Sequence, residues 1–314
     1  MQHCLLTFKS LSDTLVLSRL FKPKIGELRM KEHFQNIELA YGDVSVRLPN
    51  DIFRKLSENI KNKSGKTNIQ QVTFAYGYLV AISFLYKYTH FVDTESGVYV
   101  QNGDIKELLG YSRMTKSIDK IVKKDGILDG IGLTTTTNDY PVRFVTHPTE
   151  LLNGIPIRDF ITISELTEDD ILYDAIKNTV KNRNYEIKEP LFLTTERDDN
   201  IYGTLYGTER THEITLKEFI AFAFDEELDN IDFLIYGYMK SRCKGHKGNM
   251  RSIAVYKIIH EIGIDRSTFY NHIELLKKKK YIDVNHMAWR KKGEKYIDMS
   301  ANEYVWIGGE KVTN

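Results

Sequence analysis

The chain has 314 residues, 44 Lys/Arg against 43 Asp/Glu for a formal net charge of +1, 41% hydrophobic and 28% charged residues, and two cysteines. That length suits about two domains, and the composition is that of an ordinary globular chain, excluding disordered and collagen-like classes. Cys4 and Cys243 are too few for a disulfide framework and point to a reducing cytoplasm, and no apolar run reaches the length of a membrane span.

Residues 1–43 read as an N-terminal extension. Leu15, Val16, Leu20 and Phe21 suit a short helix or strand, which Lys22-Pro23-Lys24 breaks. A basic leading region and a small-residue cleavage site are lacking, so no signal peptide is expected.

Residues 44–146 read as a first domain. Val44, Val46 and Leu48 alternate as in a strand. Pro49 opens a helix over 50–60 with Ile52, Phe53, Leu56 and Ile60 on one face. Ser64-Gly65-Lys66-Thr67 invites a phosphate-loop reading, but that motif needs a glycine where Ile60 stands and a strand before the loop, so it is set aside. The apolar, aromatic stretch 69–91 predicts a buried helix, followed by a turn at 93–97 and a short strand at 98–100. Gly110 then plays a turn glycine and Ser112 a helix cap. Met114, Ile118, Ile121 and Val122 form the stripe of the next helix and leave Arg113, Thr115, Lys116, Ser117 and Lys120 exposed. Ile127, Leu128 and Ile131 predict a strand, 134–138 a polar tip, and Val142, Phe144 and Val145 a returning strand.

Residues 147–212 read as an acidic linker region. From 159 to 232, 19 Asp/Glu outnumber 7 Lys/Arg, whereas from 240 to 295, 15 Lys/Arg outnumber 5 Asp/Glu. The near-neutral whole therefore hides a basic block beside an acidic one, the pattern of a binding module next to a spacer. Within the linker, 164–178 predicts a helix whose first-turn acids suit the helix dipole, and 191–195 a strand. The acidic block fits a spacer, a dimerisation element or a shield against wrong contacts.

Residues 213–314 read as a second domain, opened by a helix over 214–224. Its centre is 253–283: a helix, a sharp turn at Gly263, and a second helix capped by Asp265. Phe269, Ile273 and Leu276 form the apolar stripe of that helix and leave Arg266, Ser267, Thr268, Tyr270 and Asn271 outside. Hydroxyl, amide and guanidinium groups so placed suit base edges in a major groove. Lys277, Lys278, Lys279 and Lys280 follow, then a strand at Tyr281, Ile282 and Val284. A basic tip (Trp289, Arg290, Lys291, Lys292) leads to a strand at Tyr296, Ile297 and Met299. The bland alternative is a helical hairpin with a solvated basic face.

The two domains read as an internal repeat. Tyr76-Gly77-Tyr78 recurs as Tyr236-Gly237-Tyr238, Gly110 as Gly263 and Asp129 as Asp283, with extra residues in the first copy near 93–97. The Gly263-Ile264-Asp265 turn, with Arg266-Ser267-Thr268-Phe269 opening the second helix, resembles winged-helix domains of bacterial DNA-binding proteins. Two such domains in a chain of this length are similar in architecture to replication initiators of low-copy plasmids. The expected fold is thus mainly α with small β-wings (α+β): two winged-helix (helix-turn-helix) domains joined by the acidic linker region. The resemblance implies sequence-specific binding of double-stranded DNA at origin repeats; a transcription regulator on an operator, or an adaptor holding DNA and a partner, are the alternatives. Host replication or transcription proteins and a second copy of the chain are candidate partners.

Chemistry is not expected. Rolling-circle nicking enzymes pair histidines around an apolar residue and add a nucleophilic tyrosine; the nine histidines never fall in that pattern. No Cys/His group has zinc spacing, and Asp169-Asp170 and Asp198-Asp199 read as solvated surface. Neither catalytic residues nor a metal or cofactor are expected, and the DNA-binding candidates are the residues of the two exposed helix faces, the lysine run and the basic tip.

Overall fold

The computed structural model describes residues 25–152, 155–193, 210–286 and 301–308. Helix α1 (Ile25–Tyr41) leads to strand β1 (Ser45–Pro49), where Val46 and Leu48 are buried and the residues between them are not, as the period of two requires. Helix α2 (Ile52–Asn59) buries Ile52, Phe53 and Leu56 on one face. Helix α3 (Ile69–Lys87) starts at Asn68, whose side chain accepts from the Gln71 N–H, and every residue from Gln71 to Tyr86 is buried. A helix apolar all round can only be a core helix.

After α3 come a hairpin of β2 (Val92–Asp93) and β3 (Val98–Tyr99), helices α4 (Asn102–Leu108), α5 (Asp119–Val122) and α6 (Ile127–Gly130), and strands β4 (Thr134–Thr137), β5 (Pro141–Leu152) and β6 (Ile155–Thr162). Helix α7 (Ile171–Thr179) and β7 (Ile187–Pro190) complete the middle of the chain. The remainder holds β8 (Thr211–Thr215), α8 (Leu216–Ala223), α9 (Asn230–Cys243), β9 (Met250–Ser252), α10 (Val255–Ile262), α11 (Arg266–Lys278), β10 (Ile282–Asn285) and β11 (Glu303–Trp306). This is an α+β arrangement of helices and small antiparallel sheets, and no barrel occurs among the described residues. No described helix is long and apolar enough to cross a membrane.

The YGY-bearing helices α3 and α9 pack against each other, and one hydrophobic cluster takes side chains from both halves of the chain. β1 pairs with β8, Ser45 opposite Thr215 and Pro49 opposite Thr211. Two anchors of the repeat keep their geometry: Gly110 and Gly263 both turn through left-handed backbone, at φ 80° and 71°. The third does not, since Asp129 lies in α6 and Asp283 on β10.

The packing of α3 on α9 depends on Gly237. A Cβ there would lie 2.0 Å from the Tyr76 hydroxyl oxygen and 2.7 Å from the ring carbon bearing it. Tyr76 cannot step aside, being hydrogen-bonded to His212 and in ring contact with Phe53 and Phe233. Gly237→Ala gains about 1 kcal/mol of helix propensity but overpacks the core at a cost of about 1–3 kcal/mol. A net loss in urea unfolding is expected. Gly77→Ala should lose less, because its Cβ would press only on the flexible end of Leu109; equal losses would contradict this packing account.

Several expectations are corrected. The helix expected after Ser112 forms only as α5, and Met114, assigned to its buried stripe, is 78% exposed. Backbone from 112 to 118 turns instead: Thr115 bonds back to Ser112 and Asp119 to Lys116, while the buried Lys106 ammonium takes up the Arg113 and Thr115 carbonyls. The strand expected at 127–131 is helix α6, and the polar tip at 134–138 is mostly strand β4, paired with β7 and not with β5. β5 pairs with β6, so the acidic region supplies two strands. Asp129 anchors that arrangement, accepting from Thr134, Thr136 and the buried Lys188. The helix expected over 164–178 is a single 3-10 turn at Ile163–Glu165, then α7 from Ile171, which Asp170 caps through the Leu172 N–H. In place of a strand at 191–195, β7 ends at Pro190; Leu191, Phe192 and Leu193 turn, and the rest lies outside the described residues. The helix expected at 214–224 begins only at Leu216, because Thr215 caps it and Ile214 belongs to β8.

Candidate nucleic-acid interface

α10 ends at Gly263, whose N–H bonds to the Ile259 carbonyl at 2.9 Å. A Cβ on Gly263 would meet the Thr67 side chain at 2.4 Å, so both its left-handed backbone and its neighbour exclude larger residues. Thr67 is itself tied to the Ser57 carbonyl, and Ser57 to that of Glu261. The glycine-containing loop set aside as a phosphate loop is thus a brace beneath the turn.

Asp265 caps α11. Oδ1 accepts from the Thr268 N–H at 2.9 Å and the Ser267 hydroxyl at 2.6 Å, and Oδ2 from the Thr268 hydroxyl at 2.5 Å. These bonds hold its carboxyl well below the usual range. Phe269, Ile273 and Leu276 are buried as expected. On the other side Arg266, Ser267, Asn271, Glu274 and Lys278 are exposed. Tyr270 is half-buried, with the Arg266 guanidinium 5.7 Å from its ring centre. The Ser267 and Thr268 protons are already donated to Asp265, so those oxygens can only accept from outside. Arg266 and Asn271 remain the outward-facing donors at this end of the helix.

His272 points the other way. Its Nδ1 lies 2.8 Å from Asp232 Oδ1 and 3.8 Å from Asp229 Oδ1, bracing α11 against the start of α9. The Asp232 bond raises its pKa. The three ligand-type atoms lie within 4.8 Å of one another. Both carboxylates, however, already cap α9: Asp229 Oδ1 accepts from the Ile231 and Asp232 N–H groups, and Asp232 Oδ2 from the Asp229 N–H. The cluster therefore works as a cap and cross-brace.

The lysine run does not form one phosphate-facing row. Lys278 and Lys280 are exposed and Lys277 pairs with Glu274 at 3.0 Å. Lys279 departs from expectation: it bonds Asp225 at 2.9 Å and Glu227 at 2.6 Å, fastening the loop before α9. Trp289, Arg290, Lys291 and Lys292 lie outside the described residues.

The first copy departs further. Arg113 pairs with the buried Asp104, which also holds Arg29, and with Glu107 at 3.3 Å. Thr115 is half-buried; Lys116, Ser117 and Lys120 are exposed but stand on turns and on short α5, so they do not share one helix face. Sequence reading also missed a convergence of Arg54, Arg210, Arg242 and Arg251 on one cleft. No spacing pattern joins four residues so far apart in the chain. Comparison with family models, with curated proteins and with solved structures finds no match to this chain.

Proposed function

We propose that the chain binds double-stranded DNA sequence-specifically through a winged helix spanning α9 to β11, and serves as a replication initiator of a plasmid or phage. One observation carries the reading. The polar face of α11, beyond the Gly263 turn, is exposed opposite a buried stripe, and a three-stranded sheet in the order β10-β11-β9 stands beside it. Helix, strand, helix, turn, helix and two more strands is the order of a winged helix, and residues 286–302 join its last two strands where a wing belongs. The excess of Lys/Arg over 240–295 supports the same reading, since phosphate neutralisation supplies most non-specific affinity.

In this mechanism α11 enters the major groove. Arg266 and Asn271 meet base edges, and Lys278 meets a flanking phosphate. Contact with about six phosphates would give a log–log salt slope near −5. Arg266→Ala should cost about 1–3 kcal/mol on the specific site and relax base preference, while Lys278→Ala weakens all duplexes alike. Lys279→Ala should instead lower stability, as its partners are Asp225 and Glu227. Fluorescence anisotropy against specific and random duplexes reads all three; salt-independent binding, or binding to no duplex, sinks the reading. Footprinting on the DNA flanking the gene separates roles: tandem repeats fit an initiator, an inverted repeat over a promoter a transcription regulator.

A further inference from the structure

A cleft of about 770 Å³ opens where the first half of the chain meets the second. Arg54 reaches it from α2, Arg242 from the end of α9, Arg251 from β9, and Arg210 from just before β8. Asp51 and Glu261 face the same space, but each already holds a cation: Asp51 pairs with Lys55 at 3.1 Å and Glu261 with Arg242 at 2.5 Å. Glu261 also accepts from the Tyr238 hydroxyl at 2.8 Å, and the Arg242 guanidinium lies 5.1 Å from the Tyr238 ring centre. Arg242 is thereby fixed in place, yet its buried Nε has no hydrogen-bond partner.

The other three arginines are less engaged. Arg54 has an exposed pair with Glu58 at 3.7 Å, and the Arg251 side chain makes long 3.5 Å contacts to the Arg242 carbonyl and to His246. Arg210 sits at φ 56°, a left-handed backbone that a side-chain-bearing residue rarely adopts, held where its carbonyl accepts the Asn50 N–H. Such strain persists only where its surroundings enforce it, and ligand clamps are a common setting.

We propose that this cleft binds a phosphate group. Guanidinium forks match phosphate oxygens two at a time, and the volume lies within the range of ligand clefts. The phosphate comes either from a free di- or triphosphate or from a nucleic-acid strand, the second source resting on the DNA-binding reading. A phosphate held there would link β1 and α2 to α9 and β9 across the seam between the halves.

The test uses the full chain. Pyrophosphate and ATP, without divalent metal, are titrated by calorimetry, with sodium chloride and sodium glutamate at equal ionic strength as controls. A random-sequence duplex is titrated by anisotropy. The same titrations are run on Arg54→Glu/Arg251→Glu and, as a milder pair, Arg54→Gln/Arg251→Gln; all these positions are exposed. Pyrophosphate binding that weakens at least about tenfold in either pair supports the site with a free-phosphate source. No pyrophosphate binding, with affinity for the random-sequence duplex falling about tenfold in both pairs, supports it with a strand source. Affinities unchanged in both pairs, or glutamate competing as well as pyrophosphate, overturn it. Arg266→Ala acts on α11 alone and should leave pyrophosphate binding intact, so failure of the DNA reading would be seen separately.

Discussion

Lys240→Met should destabilise the protein by about 3–5 kcal/mol, whereas Glu218→Gln/Lys240→Met should lose much less. Lys240 and Glu218 are 1% and 2% exposed, and the ammonium sits 2.5 and 2.6 Å from the two carboxylate oxygens. Burial pushes the Lys240 pKa down while Glu218 pushes it back up. Removing the lysine alone leaves a carboxylate in the core without its counter-charge. Glu218 also closes the capping box of α8, accepting from the Thr215 N–H at 2.7 Å, and it accepts the Tyr236 hydroxyl proton. Glutamine keeps one oxygen to accept the Thr215 N–H, its amide NH2 can donate to the Tyr236 oxygen once that hydroxyl turns, and it carries no charge, which is why the double replacement is the informative one. The ammonium further lies 5.0 Å from the Trp306 ring centre, so the pair joins α8, α9 and β11. Urea unfolding reads the comparison. A single variant within about 1 kcal/mol of the parent, or a double variant as unstable as the single, would refute the account.

Stability should also fall steeply between pH 6.5 and 5, before most carboxylates titrate. His212 is fully enclosed, and burial pushes its pKa down to about 3. Its contacts fit a neutral ring: Nδ1 donates to Asn50 Oδ1 and Nε2 accepts from the Tyr76 hydroxyl, both at 3.0 Å. His33 is pushed down to about 4, burial outweighing the nearby Asp93; its Nε2 donates to the His90 carbonyl at 2.7 Å, and its buried Nδ1 makes no hydrogen bond, Asp93 Oδ2 lying 3.9 Å away. The unfolded chain takes up these protons near pH 6.5. Their stability is therefore complete above 6.5 and is lost as pH falls through that value toward 4 and 3. At pH 5 each histidine costs about 2 kcal/mol. His272 works in the opposite sense, since its raised pKa gives stability present below 6.5 and lost as pH rises. It offsets part of the fall. Glu213, held down to about 2, contributes above 4.5 and enters only in stronger acid. Thermal melts at pH 7.5 and 5 of the parent, His212→Gln and His33→Gln check this. A flat parent profile, or variants that keep the full slope, would show the protons go elsewhere.

What could be read from sequence followed from local rules. Gly263, Asp265 and the stripe Phe269, Ile273, Leu276 each lie within four residues of the next, so propensity and spacing placed α11 correctly. The uniformly apolar 69–87 stretch could only be a core helix. Ser112 looked just as good a cap, but Lys106, from the preceding helix, captured the carbonyls that would have entered a helix ladder. Lys279 looked like its neighbours until Asp225 and Glu227, more than fifty positions away, claimed it. Thr215 and Glu218 were different: their T-x-x-E spacing is a capping box that marks the start of α8 two residues after Ile214, and that signal was in the sequence to be used. The β4–β7 and β1–β8 pairings, and the arginine cleft, depend on contacts that no local pattern encodes.

The β1–β8 pairing also bears on how the chain is made. Ser45 hydrogen-bonds Glu213, 168 positions later, and among the described residues neither strand has another partner in its sheet. During synthesis β1 must emerge and wait, its edge open, until the ribosome has delivered most of the protein. An arrested fragment ending before β8 would carry that open edge together with the apolar side of α3 that α9 covers, both of which favour aggregation. The late strand thus acts as a completion signal, and truncated products should accumulate as insoluble material or as substrates for chaperones.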